Sequence, residues 1–126
     1  MKSIFSIEFF FNVSPKILFP RLNNPGGLVE WFADEIRVKD DLYTFIWNGM
    51  EQQAKLLHQK KNKYVRFQWL DDPEEQAYFE FKILQDDITG DVVLLVTDCA
   101  EETEKNDAMN LWKKQIGSLK KALGVS

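Results

Sequence analysis

The sequence predicts an α+β protein. A curved antiparallel sheet of about seven strands is closed by one long C-terminal helix, and two short helices follow the first strand. Three observations point to this. Thr103 to Leu123 carries the apolar stripe Met109, Trp112, Ile116, Leu119 and Leu123 at helical spacing. From Glu35 to Asp98, strand-like segments are separated by short turn signals. Two Pro-led segments, at Pro15 and Pro25, interrupt the chain directly after a strand-like N-terminus. A strand-rich body that ends in one amphipathic helix needs a sheet on which to bury the helix stripe.

Each element has its own signal. Phe5, Ile7, Phe9 and Phe11 share one face of the first strand, with Ser6 and Glu8 on the other. Ser14 is placed to cap a short helix from Pro15 to Leu22, and Asn24 to cap a second one that starts at Pro25 and carries Leu28, Trp31 and Phe32. Glu35 to Lys39 and Tyr43 to Trp47 then read as strands around an Asp40-Asp41 turn. Asn48-Gly49 favours positive φ at both positions, the strongest hairpin signal in the chain. Gln52 to Gln59 returns, Lys60 to Lys63 turns, and Tyr64 to Leu70 places Val65, Phe67 and Trp69 on one face. An acidic loop, Asp71 to Glu75, precedes a strand from Tyr78 to Gln85 with Phe79, Phe81 and Ile83 inward. Asp86 to Asp91 turns into a last strand, Val92 to Asp98. Thr103 is the expected cap of the long helix, with acidic residues near its positive end. On the outward parity, Arg66 and Glu80 are expected to pair across neighbouring strands.

Composition sets limits on function. The chain has 126 residues, 44% hydrophobic and 29% charged, within the range of one globular domain with a real core. A net charge of −4 counts against nucleic-acid binding, which needs clustered Lys and Arg. The basic run Lys60-Lys61-Asn62-Lys63 fits a solvated turn. One cysteine, Cys99, allows no internal disulfide and fits a reducing cytoplasm. Ser6 and Glu8 break the N-terminal apolar run, so it reads as a strand and not as an export signal. No segment is apolar enough for a membrane span. No His/Cys cluster suggests a metal, and no Gly-rich cradle suggests a nucleotide, so no cofactor is expected.

The order of elements resembles the START-like (SRPBCC) superfamily and its helix-grip fold. The residues that carry the resemblance are Pro15, Pro25, Trp31-Phe32, the hairpin series and Trp112 in the last helix. Within that superfamily the chain is most similar to the bacterial family named for the activator of the heat-shock-protein ATPase. The resemblance covers nearly the whole chain and implies one START-like domain over residues 1–126. It implies a small hydrophobic or amphipathic ligand held between sheet and helix. Some relatives are polyketide cyclases or aromatases, but the superfamily has no universal catalytic motif, so no catalytic residue is carried over. The eukaryotic activators regulate a chaperone through an added N-terminal domain, which this sequence does not show, and this weighs against a chaperone partner.

A cavity in such a fold would be lined by Trp31, Phe45, Trp47, Phe67, Trp69, Phe81, Met109 and Trp112. Their rings can stack on a planar ligand or fill the core against each other. Met109 and Trp112, nearer the helix start, are the residues expected to touch a ligand. Three functions stay open. The first is a binding module. The second is a cyclase- or hydrolase-type enzyme using His58, Glu51, Asp98 or a tyrosine. The third is an interaction domain, chaperone-linked or a homodimer through the outer sheet face or sheet edges. His58, alone and beside lysines, reads as a surface residue, and Cys99, among acidic neighbours, as an inert thiol.

Overall fold

The computed structural model describes residues 2–71 and 77–125. The chain begins with β1 (Lys2–Phe11) and three four-residue helices, α1 (Pro15–Leu18), α2 (Pro20–Asn23) and α3 (Pro25–Leu28). A meander follows: β2 (Glu35–Lys39), β3 (Leu42–Trp47), β4 (Met50–Lys60), β5 (Tyr64–Trp69), β6 (Tyr78–Gln85) and β7 (Val92–Glu101). A 3₁₀ turn at Glu102–Glu104 leads into the long helix α4 (Lys105–Leu123). Among the described residues the strands form one antiparallel sheet in the order β1-β7-β6-β5-β4-β3-β2. β1 therefore returns to pair with the last strand, Phe5 opposite Asp98 and Phe11 opposite Val92.

The turns follow local chemistry. Asn48 and Gly49 take φ of 50° and 81°, the positive pair that a two-residue hairpin requires. A register shift between Leu56 and His58 marks a bulge in β4, where the ladder with β5 is interrupted. Gly124, with φ of 73°, ends α4. Its N–H and that of Val125 bond to the carbonyls of Lys121 and Lys120, so the last turn is capped.

Four local expectations change, and the first is that the second short helix stops at Leu28, so Trp31 and Phe32 lie in the turns after it. The helix expected over Pro15–Leu22 is broken, because Pro20 has no N–H to continue it and instead starts α2. Ser14 and Asn24 take the extended backbone of caps but make no side-chain cap bond; the Ser14 carbonyl accepts from Ile17 and Leu18 instead. Thr103 does not cap the long helix. β7 stays paired with β1 as far as Glu101, so Thr103 falls inside the 3₁₀ turn and Glu104 takes the cap position. The acidic loop expected over Asp71–Glu75 lies, apart from Asp71, outside the described residues.

Inward parity is as the alternation implies. Phe45, Phe67, Phe79, Phe81, Leu94 and Val96 are fully buried, and Trp112, Ile116 and Leu119 of α4 close over them. Phe67 and Phe79 stack with centroids 4.9 Å apart. On the outer face Arg66 Nε lies 2.9 Å from Glu80 Oε2, and its guanidinium sits 4.1 Å above the Tyr78 ring.

The short helices meet at a tight point. A Cβ on Gly27 would lie 2.1 Å from the Pro20 carbonyl oxygen, whereas one on Gly26 would meet nothing within 4 Å. Gly27→Ala should therefore destabilise the fold by more than about 1 kcal/mol, and Gly26→Ala should be neutral or stabilising. Urea unfolding of the two variants checks this.

Candidate functional site

The strand ends at one end of the sheet create an opening. β1 starts there, β3, β5 and β7 end there, and β4 begins there. The first half of α4 crosses this end. It offers the small Ala108 one turn before Trp112, and Gln115 one turn after it, so the helix does not fill the space beneath. A cavity of about 530 Å³ results, partly open to solvent. Its walls are Phe32, Trp47, Trp69, Leu111 and Trp112, with Lys2, Asn48, Gln52, Asp71, Asp98, Cys99, Ala108 and Gln115 completing the lining.

Asp98 holds the polar centre of this site. It continues the inward row of Val92, Leu94 and Val96 on β7, a position otherwise given to apolar side chains. Its Oδ1 accepts the Cys99 backbone N–H at 2.8 Å, and its Oδ2 accepts the Trp112 indole N–H at 2.9 Å. Burial pushes its carboxyl above the usual carboxylate range. The Cys99 N–H, the Trp112 and Trp69 indoles and, least, the Lys2 charge pull the other way. The carboxylate thus ties β7 to α4 and sets the Trp112 ring in the wall. Gln115 Nε2 donates to the Phe32 carbonyl at 3.1 Å, and the Trp47 indole N–H donates to the same oxygen. Asp71 Oδ2 accepts the Gln53 backbone N–H at 2.9 Å.

Trp47, Trp69 and Trp112 come together at the cavity. Phe45, Phe67, Phe81 and Trp31 lie deeper, buried in the aromatic core, and the Trp31 indole donates to the Arg21 carbonyl at 2.7 Å. Met109 packs half-buried against the core and is not part of the cavity lining. Of the titratable groups considered for chemistry, Asp98 faces the cavity. His58 and Glu51 are exposed outside it, Tyr64 and Tyr78 lie on the outer face, and Tyr43 is buried with its hydroxyl on the Asn23 carbonyl. Gln52, Gln115 and Leu111 carried no sequence signal, since single residues at strand ends and helix flanks belong to no periodic pattern, and Asn48 signalled a hairpin turn but not a place in a cavity wall. Among the described residues no group of acidic, His and Cys side chains could hold a metal, and no helix is long and apolar enough to cross a membrane.

A family model described as a START-like superfamily domain matches residues 1–125. The chain belongs to the START-like superfamily. A Bacteroides fragilis protein of known solution structure is 35% identical, with a TM-score of 0.67 over 97% of this chain and 91% of that one. The Aha1 dimer from Colwellia psychrerythraea is 22% identical, with a TM-score of 0.80 over 96% of each chain. DynU16, from the dynemicin biosynthetic locus, is 13% identical, with a TM-score of 0.80 over 96% of this chain and 47% of that one. The last two likenesses concern the fold alone. A search of curated proteins finds no match.

The raised Asp98 value has a consequence for stability. Between the unfolded carboxylate value of about 3.9 and the higher native value, the folded START-like domain holds a proton that the unfolded chain has released. The contribution of this group is therefore fully present below the unfolded value and is lost as pH rises through the native one. Asp98→Asn lacks this dependence. The difference in Tm, wild type minus Asp98→Asn, should fall as pH is raised from acid to neutral, as measured by thermal unfolding of both proteins in parallel.

Proposed function

We propose that the protein binds a small hydrophobic or amphipathic molecule in the cavity beneath the first half of α4. The observation that carries this is the wall itself. Trp47, Trp69 and Trp112 border a space of about 530 Å³, within the volume range of small-molecule sites. Three indoles supply apolar area and stacking surface. Lys2, Gln52, Asp98 and Gln115 border the same space and suit the polar head of an amphipathic ligand. Superfamily membership supports the same reading. Binding is favoured over catalysis because both Asp98 oxygens already accept protein hydrogen bonds, which suits orientation of Trp112 better than proton transfer. The single thiol supports a reducing, cytoplasmic setting.

Decanol, decanoate and decylamine are suitable probes, and isothermal titration calorimetry reads their binding. At least one should bind saturably to the wild type. Ala108→Trp, which fills the cavity from α4, should abolish that binding with the circular dichroism spectrum unchanged. Trp69→Ala should weaken it about tenfold or more. Absence of saturable binding by all three, together with no small molecule retained in native mass spectrometry of the purified protein, would sink the reading.

A further inference from the structure

The two edges of the sheet are built differently. β2 is five residues long and carries Glu35, Arg37 and Lys39, which discourage pairing with another chain. β1 is ten residues long, has no proline, and between Ser3 and Phe11 holds one charge, Glu8. Among the described residues, no backbone hydrogen bond joins residues 3–11 to anything beyond β7.

The core is also unfinished at this edge. Leu94 and Val96 on β7 are fully buried. Their β1 partners Phe9 and Ile7, on the same inward face one strand further out, are only half-buried. On the outer face Ile4 and Phe10 are 58% and 68% exposed. Phe5 and Phe11 are buried, so the gap in cover lies at the middle of β1 on the inner face and at Ile4 and Phe10 on the outer one, and a long edge with such gaps is a template for a further strand.

The pattern of β1 says which strand fits. Two copies paired antiparallel about Ile7 bring Phe5 opposite Phe9 on the inner face and Ile4 opposite Phe10 on the outer face. Ser6 then faces Glu8, and the two Ile7 side chains meet at the axis. Moving the axis to Glu8 sets two carboxylates against each other, and moving it to Ser6 sets Ile4 against Glu8 and Phe10 against Lys2. We propose that the protein forms a homodimer in which β1 pairs with β1 of a second copy, centred on Ile7, so that two sheets become one.

Light scattering after size exclusion tests this on the full chain. The wild type should show the dimer mass. Phe10→Lys, at an exposed site, should show the monomer mass with an unchanged circular dichroism spectrum. Register is read in a Cys99→Ser background. Ile4→Cys and Phe10→Cys chains refolded together should form an intersubunit disulfide under mild oxidation, because directly opposed residues lie within disulfide range. Ile4→Cys alone should not, since like residues would then lie about 20 Å apart along the strands. A monomeric wild type, a dimer untouched by Phe10→Lys, self-linking of Ile4→Cys, or no link in the mixture would each overturn the proposal. A dimer mass seen only in complex with a different protein would overturn it as well.

Discussion

Phe32 is packed between the sheet and α4, and the rest of the architecture depends on how it sits there. Its ring lies 5.0 Å from Phe45, 5.2 Å from Trp47 and 5.6 Å from Phe79 on the sheet side, and 5.7 Å from Trp112 on the helix side. Its carbonyl accepts from the Trp47 indole and the Gln115 amide. The short helices deliver it, since the Phe32 N–H bonds back to Leu28 at the end of α3. One residue thus joins the short helices, the sheet and the long helix. Each aromatic pair adds about 0.5–1.5 kcal/mol beyond burial. The cluster therefore fixes the height at which α4 crosses.

That height divides the interior in two. Toward the C-terminus of α4, Ile116 and Leu119 are buried in the same hydrophobic core as Leu94 and Val96. Toward its N-terminus the helix offers Ala108 and an exposed Leu111, and the strands below have ended. The cavity lies in the half where the apolar stripe runs out. At Asp98 two indoles and a backbone N–H offset part of the cost of burying a carboxylate, and burial remains the larger effect. Its bond to Trp112 makes that ring both wall and anchor. Function is argued from these residues and not from the fold, which hosts many activities.

The strand edges follow the same logic of cover. The charged, short β2 needs none, whereas β1 carries its apolar alternation to the rim of the sheet. The outer face between them is held by local pairs such as Arg66 with Glu80, which the register places directly opposite each other.

Alternation along the strands, the Asn48-Gly49 hairpin and the stripe of α4 were legible in the sequence, because each is a short-range rule with a fixed period. They established the element order, the inward faces and the family. The break at Pro20 has a local cause too, the N–H that proline lacks. Depth was not legible. Phe45 and Trp47 share a parity, as do Phe67 and Trp69, yet Trp47 and Trp69 reach the cavity and the phenylalanines are sealed in the core. Periodicity assigns a face but not a distance from the strand end or from the helix above it. The same holds for Met109 and Trp112, neighbours on one stripe. The sequence by itself determined which residues face inward. The crossing of α4 over the strand ends decided which of them border open space, because a cavity is what remains where the packing of distant elements stops.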